Sequence, residues 1–271
     1  MADGAGGYGY STSSNRMAAS PAGAVTLDAS GNTTGIGNRS FAYNQAGRLV
    51  TASNGGFIVG QYAYAFDGHR ASKVAGGATT LFHYDLAGNL IAETDASGAT
   101  LKEYVWDDEG RTLAQIAGTL TYLHPDHLGT PQFGTDAGRA VVWQWYERPF
   151  GTGPPVGSVS VNLRYPGQYA DAETGLHQNW YRTYDPRAGR YLESDPVGLA
   201  AGVNTFGYAN SNPLAFADPD GRSPVLVARL ILAGLGVGLD AITLTDDVPI
   251  PGAGFAGAAT KAGGRCVAKN Q

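Results

Sequence analysis

The sequence predicts an all-β protein assembled from short hairpins, and three observations carry the prediction. An Asp/Asn-x-x-Gly unit returns along the chain, with Gly47, Gly68, Gly88 and Gly110 separated by 21, 20 and 22 residues. That spacing suits two short strands and two turns per repeat. In Tyr62-Ala63-Tyr64-Ala65-Phe66 the aromatics stand at every second position, which puts all three on one side of a strand. Finally, charged residues make up only 15% of the 271 residues, against 40 Gly and 15 Tyr. Low charge with abundant Gly, Tyr, Thr and Val suits strands and tight turns rather than helix bundles.

Residues 1–27 have no basic segment followed by an apolar run, so they are not a secretory signal. They read as a flexible Gly/Ser lead-in or as a cut through a longer protein. Residues 28–148 carry the repeats: Asp28-Ala-Ser-Gly31-Asn32, Asn44-Gln-Ala-Gly47-Arg48, Asp85-Leu-Ala-Gly88-Asn89 and Asp107-Asp-Glu-Gly110-Arg111. Phe66-Asp67-Gly68-His69-Arg70 reads as a shortened copy. Leu101-Lys-Glu-Tyr104-Val-Trp106 repeats the aromatic alternation less cleanly. One hairpin cannot bury such a face, but hairpins paired edge to edge continue a long, curling sheet. Residues 149–156, PFGTGPPV, read as a Gly/Pro linker.

His124, Asp126 and His127 invite a metal-site reading. The i, i+4 histidine spacing is absent, no second ligand cluster follows, and Asp126-His-Leu-Gly129 keeps the repeat frame. A structural turn is expected there, with no metal and no cofactor. Net charge is −5, which gives the β-body no basic field for nucleic acid. Cys266 is the single cysteine, so no internal disulfide is available.

Residues 157–222 hold three Asp-Pro pairs, at Asp185, Asp195 and Asp218, the last two in the near-identical frames DPVG and DPDG. Asp-Pro-x-Gly is turn chemistry: Pro sets φ, Asp accepts backbone N–H groups, and Gly supplies positive φ. The words RYPGQYADAETGLHQNWYRTYDP (164–186), GRYLESDPVGLAAGVNTFGYANSNPLAFADPDG (189–221) and HPDHLGTP (124–131) resemble the Rhs-repeat-associated core domain. That domain ends the shell of bacterial Rhs polymorphic toxins, is shared by the C component of insecticidal toxin complexes, and is related to the YD-shell of animal teneurins. With the repeats, the resemblance covers nearly everything from Asp28 to Gly221.

The resemblance implies that the repeat strands spiral into a hollow β-shell. About five repeats are too few to close one, so an open, curved sheet ending in the core plug is expected. It also implies self-cleavage after the last Asp-Pro-x-Gly-Leu, by an aspartate pair at Asp195 and Asp218 with Arg182 as supporting cation. Two neighbouring carboxylates cannot both ionise easily, so one keeps the proton while the other acts as base on a water. The bland reading is that each aspartate begins a turn, where it caps its own backbone. Arg182 has one too: a surface arginine paired with Asp185 or Glu193. Arg190 ranks second as the cation, and Glu173 and His177 read as structural. Arg222 stands where the family has Leu. A cation entering a leucine-accepting pocket costs several kcal/mol, on the order expected for a buried charge, so cleavage at Arg222–Ser223 is expected to be slow or lost, and faster with leucine there.

After Gly221 the composition shifts. Val225 to Leu239 is apolar apart from Arg229 and glycines. It is short for a membrane span, and a central Arg costs about 2.5–3.5 kcal/mol on insertion scales. A helix packed inside the shell, or an interfacial segment, is expected instead. Gly234-x-Gly236-x-Gly238 lacks the strand–turn–helix frame of a dinucleotide site. The 49 residues from Ser223 contain no His and no Glu, so a metal-dependent nuclease or deaminase kit is absent. They read as a linker to a missing or truncated toxin.

Two function classes follow. One is an encapsulating shell segment of a secreted Rhs-type toxin of interbacterial competition, with self-cleaving aspartate chemistry. Its own tail is the cargo, and its expected partners are secretion components and an immunity protein; it resides in the bacterial cytoplasm before export. The other is a purely structural or adhesive YD-repeat protein with no catalytic activity.

Overall fold

The computed structural model describes residues 7–146, 148–222 and the backbone of 225–226. Sixteen strands, from Gly9–Tyr10 to Pro155–Gly157, form one open antiparallel sheet in which order in space follows order in sequence. Four further strands form a second antiparallel sheet: Gln168–Asp171, Leu176–Asn179, Arg182–Asp185 and Arg190–Tyr191. Helix is confined to two 3₁₀ turns, Gly198–Ala201 and Ala209–Ser211, among the described residues. The expected all-β architecture with an open sheet is therefore observed.

The repeat is a five-residue turn. In each copy the first residue's N–H donates to the fifth residue's carbonyl, and the fourth residue's N–H donates to the first residue's carbonyl, as at Asp28, Asn44, Asp85, Asp107 and Asp126. The Asx side chain adds to this: Asp85 Oδ1 accepts the N–H groups of Ala87 and Asn89, and Asp126 Oδ1 those of Leu128 and Thr130. These turns settle four otherwise orphaned backbone groups locally, so each hairpin closes without outside help. Register shifts fall immediately before the turns, at Ala42/Tyr43, Ala63/Tyr64, Val105/Trp106 and His124/Pro125. Such bulges bend a strand and increase its twist.

Alternation then gives the sheet one dry face. Phe41, Leu49, Tyr62, Phe82, Leu90, Tyr104, Leu123, Trp143 and Trp145 are buried, while Leu101, Val105, Leu113 and Phe133 are exposed. The dry face packs against the second sheet in two clusters. One joins Phe82, Tyr104 and Trp145 to Tyr165, Tyr169, Tyr184 and Tyr208; the other joins Phe41, Leu49 and Tyr62 to Leu176 and Leu192. A bidentate pair, Arg70 to Asp171 at 2.7 and 2.9 Å, crosses between the two sheets inside this core. Lys73 adds contacts to Asp171 at 3.2 Å and Glu173 at 3.4 Å, and Tyr62 donates to Glu173 at 2.9 Å.

Several expectations are corrected. Residues 9–27 are not a flexible lead-in but contribute three strands, Gly9–Tyr10, Met17–Ser20 and Gly23–Leu27, with Met17 buried against Leu192. The expected linker overlaps the last strand of the sheet, because Pro155 and Val156 pair with Trp145 and Gln144. The Phe66 copy is not shortened: its turn begins at Ala65, keeps the full five residues to His69, and leaves Phe66 exposed at the tip rather than in line with Tyr62 and Tyr64. Val225–Leu226 is a strand paired with Phe216–Ala217, where a helix was expected. The remainder of the tail lies outside the described residues. No helix among the described residues is long and apolar enough to cross a membrane.

Candidate functional site

The Arg182–Asp185 strand lies inside the second sheet, and all four of its residues are buried. The expectation of a surface Arg182 fails because this sheet is covered on both faces, so alternation does not select a solvent side. Every nitrogen of its guanidinium is engaged. Nη2 contacts Asp195 Oδ2 at 2.8 Å and Asp218 Oδ2 at 3.0 Å. Nη1 donates to the Thr205 carbonyl at 3.1 Å, and Nε donates to the Gly221 carbonyl. The guanidinium plane sits over the Tyr191 ring, 3.7 Å from its centroid. The alternative partners are occupied elsewhere: Asp185 pairs with Arg39 at 3.3 Å, and Glu193 accepts the Thr183 N–H at 2.7 Å.

Asp195, Asp218 and Arg182, at most 36 residues apart in sequence, thus meet at one nitrogen, with side chains 3%, 0% and 1% exposed. Each aspartate divides its oxygens. Asp195 Oδ1 accepts the Val197 N–H at 3.0 Å and Asp218 Oδ1 accepts the Arg222 N–H at 3.0 Å, both as turn acceptors. The Oδ2 atoms face Arg182. Burial raises the Asp195 carboxyl above the usual carboxylate range, against the opposing pull of Arg182, and nearby Asp218 adds to the rise. Asp218 also receives the Tyr191 hydroxyl at 2.9 Å, and that hydroxyl accepts from Asn179 Nδ2 at 2.6 Å. Burial and the Asp218 charge hold the Tyr191 phenol well above its ordinary value, so it is a donor at any ordinary pH. Sequence reasoning missed Tyr191 and Asn179, which carry no motif and reach the site only through strand pairing.

Gly221 completes the second turn with φ +72, and a Cβ there would come within 2.6 Å of the Asn179 carbonyl. A side chain is therefore excluded twice over, by conformation and by space. Arg222 does not enter an apolar pocket, which removes the expected burial cost. Its side chain is 41% exposed, pairs with Asp220 at 2.8 and 2.9 Å, and lies 4.2 Å over the Tyr181 ring. Ser223 lies outside the described residues.

The other candidates do not converge. Arg190 donates to the Asn15 carbonyl and stacks on Phe206, away from the aspartates. His124 contacts Thr135 and stacks on Phe133, His127 contacts the Leu214 carbonyl, and Asp126 serves its turn. No cluster of three metal-ligating side chains occurs among the described residues. His177 is buried on Gln168, and burial pushes its imidazole down to about 3, so it stays neutral.

The sheet topology and the paired turns agree with what known proteins share with this chain. The family described as the teneurin YD-shell matches residues 12–214. The chain belongs to that family. Among the proteins it is similar to, the double-stranded DNA deaminase toxin A of Burkholderia cenocepacia is 30% identical, over 67% of this chain and 17% of the relative. Toxin protein Tse5 of Pseudomonas aeruginosa is 37% identical over 42% of this chain and 8% of its own. The solved structure of TcdB2-TccC3-Cdc42 shares the fold with a TM-score of 0.63 at 21% identity, covering 80% of this chain and 12% of that one. The chain therefore spans less than a fifth of each of these proteins. It has the YD-shell fold of that family.

Proposed function

We propose that this chain is the closing segment of an encapsulating shell in a secreted Rhs-type toxin, and that its core domain cuts its own backbone to release the C-terminal tail. The observation that carries the reading is the meeting of Asp195 and Asp218 on a single buried guanidinium nitrogen, with the amide of residue 222 bound to the second carboxylate. Asp195 holds the proton and Asp218 is the base. Asp218 takes a proton from water, the hydroxide adds to the peptide carbonyl, and the tetrahedral carbon collapses as the leaving nitrogen accepts the Asp195 proton. The cut resembles the family's, for which the expected junction is Arg222–Ser223. Delivery from the bacterial cytoplasm, an immunity protein and the tail as cargo belong to the same proposal.

The adhesive alternative draws on the turn role of both Oδ1 atoms, which would be needed without any catalysis. Intact mass of the purified chain decides between them. Self-cleavage gives two fragments meeting at the end of the Asp218 turn, and Asp195→Asn gives none while melting as the parent does. A parent chain that stays whole from pH 4 to 8 would leave the adhesive reading.

A further inference from the structure

We propose that Tyr191, oriented by Asn179, is the positioning residue that makes Asp218 the base and leaves the proton of the pair on Asp195, an assignment that rests on the self-cleaving reading above.

Both aspartates face the same cation, so Arg182 by itself does not tell them apart: its Nη2 reaches the two Oδ2 atoms at 2.8 and 3.0 Å. Each Oδ1 also accepts a backbone N–H, from Val197 at Asp195 and from Arg222 at Asp218. The contact that breaks the symmetry is the Tyr191 hydroxyl, which donates to Asp218 Oδ2 at 2.9 Å. A hydrogen bond given to a carboxylate favours its charged form. In a dry interior that bias is stronger than in water, and Asp218 is 0% exposed.

The direction of the hydroxyl is set by its neighbour. Asn179 Nδ2 donates to the Asp218 backbone carbonyl at 2.8 Å and to the Tyr191 oxygen at 2.6 Å. A carbonyl can only accept, so the first contact turns the NH2 group of the amide inward, and its two hydrogens serve one partner each. The Tyr191 oxygen therefore receives from Asn179 and points its own proton at Asp218. Burial and the Asp218 charge keep that proton on the phenol. The ring is fixed by the Arg182 guanidinium over its face and by packing against Tyr184 and Tyr208. With Arg182 and Tyr191 both on Asp218 Oδ2, a proton on that atom would displace one of them. Asp195 Oδ2 meets only Arg182 among the described residues, and the proton is accommodated there. The remaining charged neighbours of Asp218 are Asp195 and Asp220, the latter sharing the Arg222 N–H at 3.0 Å. They oppose a charge on Asp218 equally with and without the hydroxyl.

The test is the pH–rate profile of self-cleavage from pH 3 to 8, read by intact mass on the full chain for the parent, Tyr191→Phe and Tyr184→Phe. Tyr191→Phe keeps the ring under Arg182 and removes only the hydroxyl. Its acidic limb, where Asp218 must be ionised, should move up by about one pH unit, the scale of one hydrogen bond to a charged group. The alkaline limb, set by Asp195, should stay. Tyr184→Phe removes a buried hydroxyl from the same tyrosine cluster, one that donates to the Phe150 carbonyl at 3.0 Å, and should leave both limbs in place. A Tyr191→Phe profile lowered at every pH with its limbs unmoved would mean a merely structural role and overturn the assignment. An equal shift in Tyr184→Phe, or movement of the alkaline limb alone, would overturn it too. Asn179→Ala carries the same test without touching the ring: the hydroxyl is then free to turn, and the acidic limb should move the same way by a smaller amount. No movement there would refute the orienting part of Asn179. A parent that stays whole refutes the self-cleaving reading, and the carboxyl assignment is then decided by carboxyl-carbon NMR of isotope-labelled aspartate. The Asp218 carboxyl should titrate about one pH unit higher in Tyr191→Phe than in the parent, and coincident titrations would overturn the assignment.

Discussion

Glu193 offers a direct measurement of how the core beside the site is built. It is buried at 3% exposure, with Oε2 accepting the Thr183 N–H at 2.7 Å and Oε1 buried without a partner. Burial pushes its carboxyl from 4.5 up to about 7, against the weaker pull of the Thr183 hydrogen bond and Arg182. Between those values the native chain keeps a proton that the unfolded chain releases. Stability therefore falls as pH rises through that window and is level above it. At about 1.36 kcal/mol per pH unit, the loss is about 3 kcal/mol. Glu193→Gln fixes the neutral form, so the variant should not lose this stability. Its own unpaired amide carries a cost that is constant with pH and cancels in the comparison. Urea midpoints at pH 5 and pH 8 should show the Gln variant gaining about 3 kcal/mol on the parent, or roughly 6–12 °C in Tm for a chain of this size. Parallel pH curves for the two proteins would refute the reasoning.

Asp171→Asn strands Arg70, which is 1% exposed, in the core; the loss should be about 3–5 kcal/mol by chemical denaturation, and a loss under 1 kcal/mol would show that the pair is not holding the sheets together. Arg139 occupies the left-handed region at φ +67, in a turn where glycine usually stands. Arg139→Gly should raise stability by about 0.5–1 kcal/mol, and a destabilised variant would count against strain at that turn. Cleavage should weaken as pH rises above the raised Asp195 value, since the proton-bearing partner is then lost; a rate that climbs steadily to pH 9 would exclude Asp195 as the acid.

The repeat grammar was legible because it is local. An Asx side chain and a positive-φ glycine three residues later fix the turn wherever they occur. Asp95-Ala-Ser-Gly98 is the same tetrapeptide as Asp28-Ala-Ser-Gly31 and forms the same turn, so its signal was present and passed over. Asp136-Ala-Gly-Arg139 hid better, with its glycine one place early. The first three strands were obscured by Gly and Ser, and depend on packing such as Met17 with Leu192 that no local pattern announces. At the site, the DPVG and DPDG frames marked both aspartates and the family frame marked Arg182. The burial of Arg182 was not legible, because alternation assigns a solvent face only where a sheet has one. The outward course of Arg222 is set by Asp220 and Tyr181, contacts that spacing cannot supply.

The turn role and the proposed catalytic role do not compete for the same atoms at Asp195 and Asp218. In the repeats, one carboxylate oxygen suffices to cap the turn, as Asp85 Oδ1 does for Ala87 and Asn89. The second oxygen is then free for local use, and Asp85 gives it to the Asn89 side chain at 2.9 Å. In the core the same arithmetic holds with a different outcome: Oδ1 serves Val197 or Arg222, and Oδ2 is turned to Arg182. What changes is the surroundings, since the covered second sheet brings a buried arginine and the Tyr191 hydroxyl to the oxygen that elsewhere bonds a side chain of its own hairpin. A turn that orders its own backbone also fixes its carboxylate without further support, which is the positional precision a two-carboxylate site requires. The sheet's commonest structural device, placed in a dry interior opposite one cation, is thereby sufficient to assemble the candidate site.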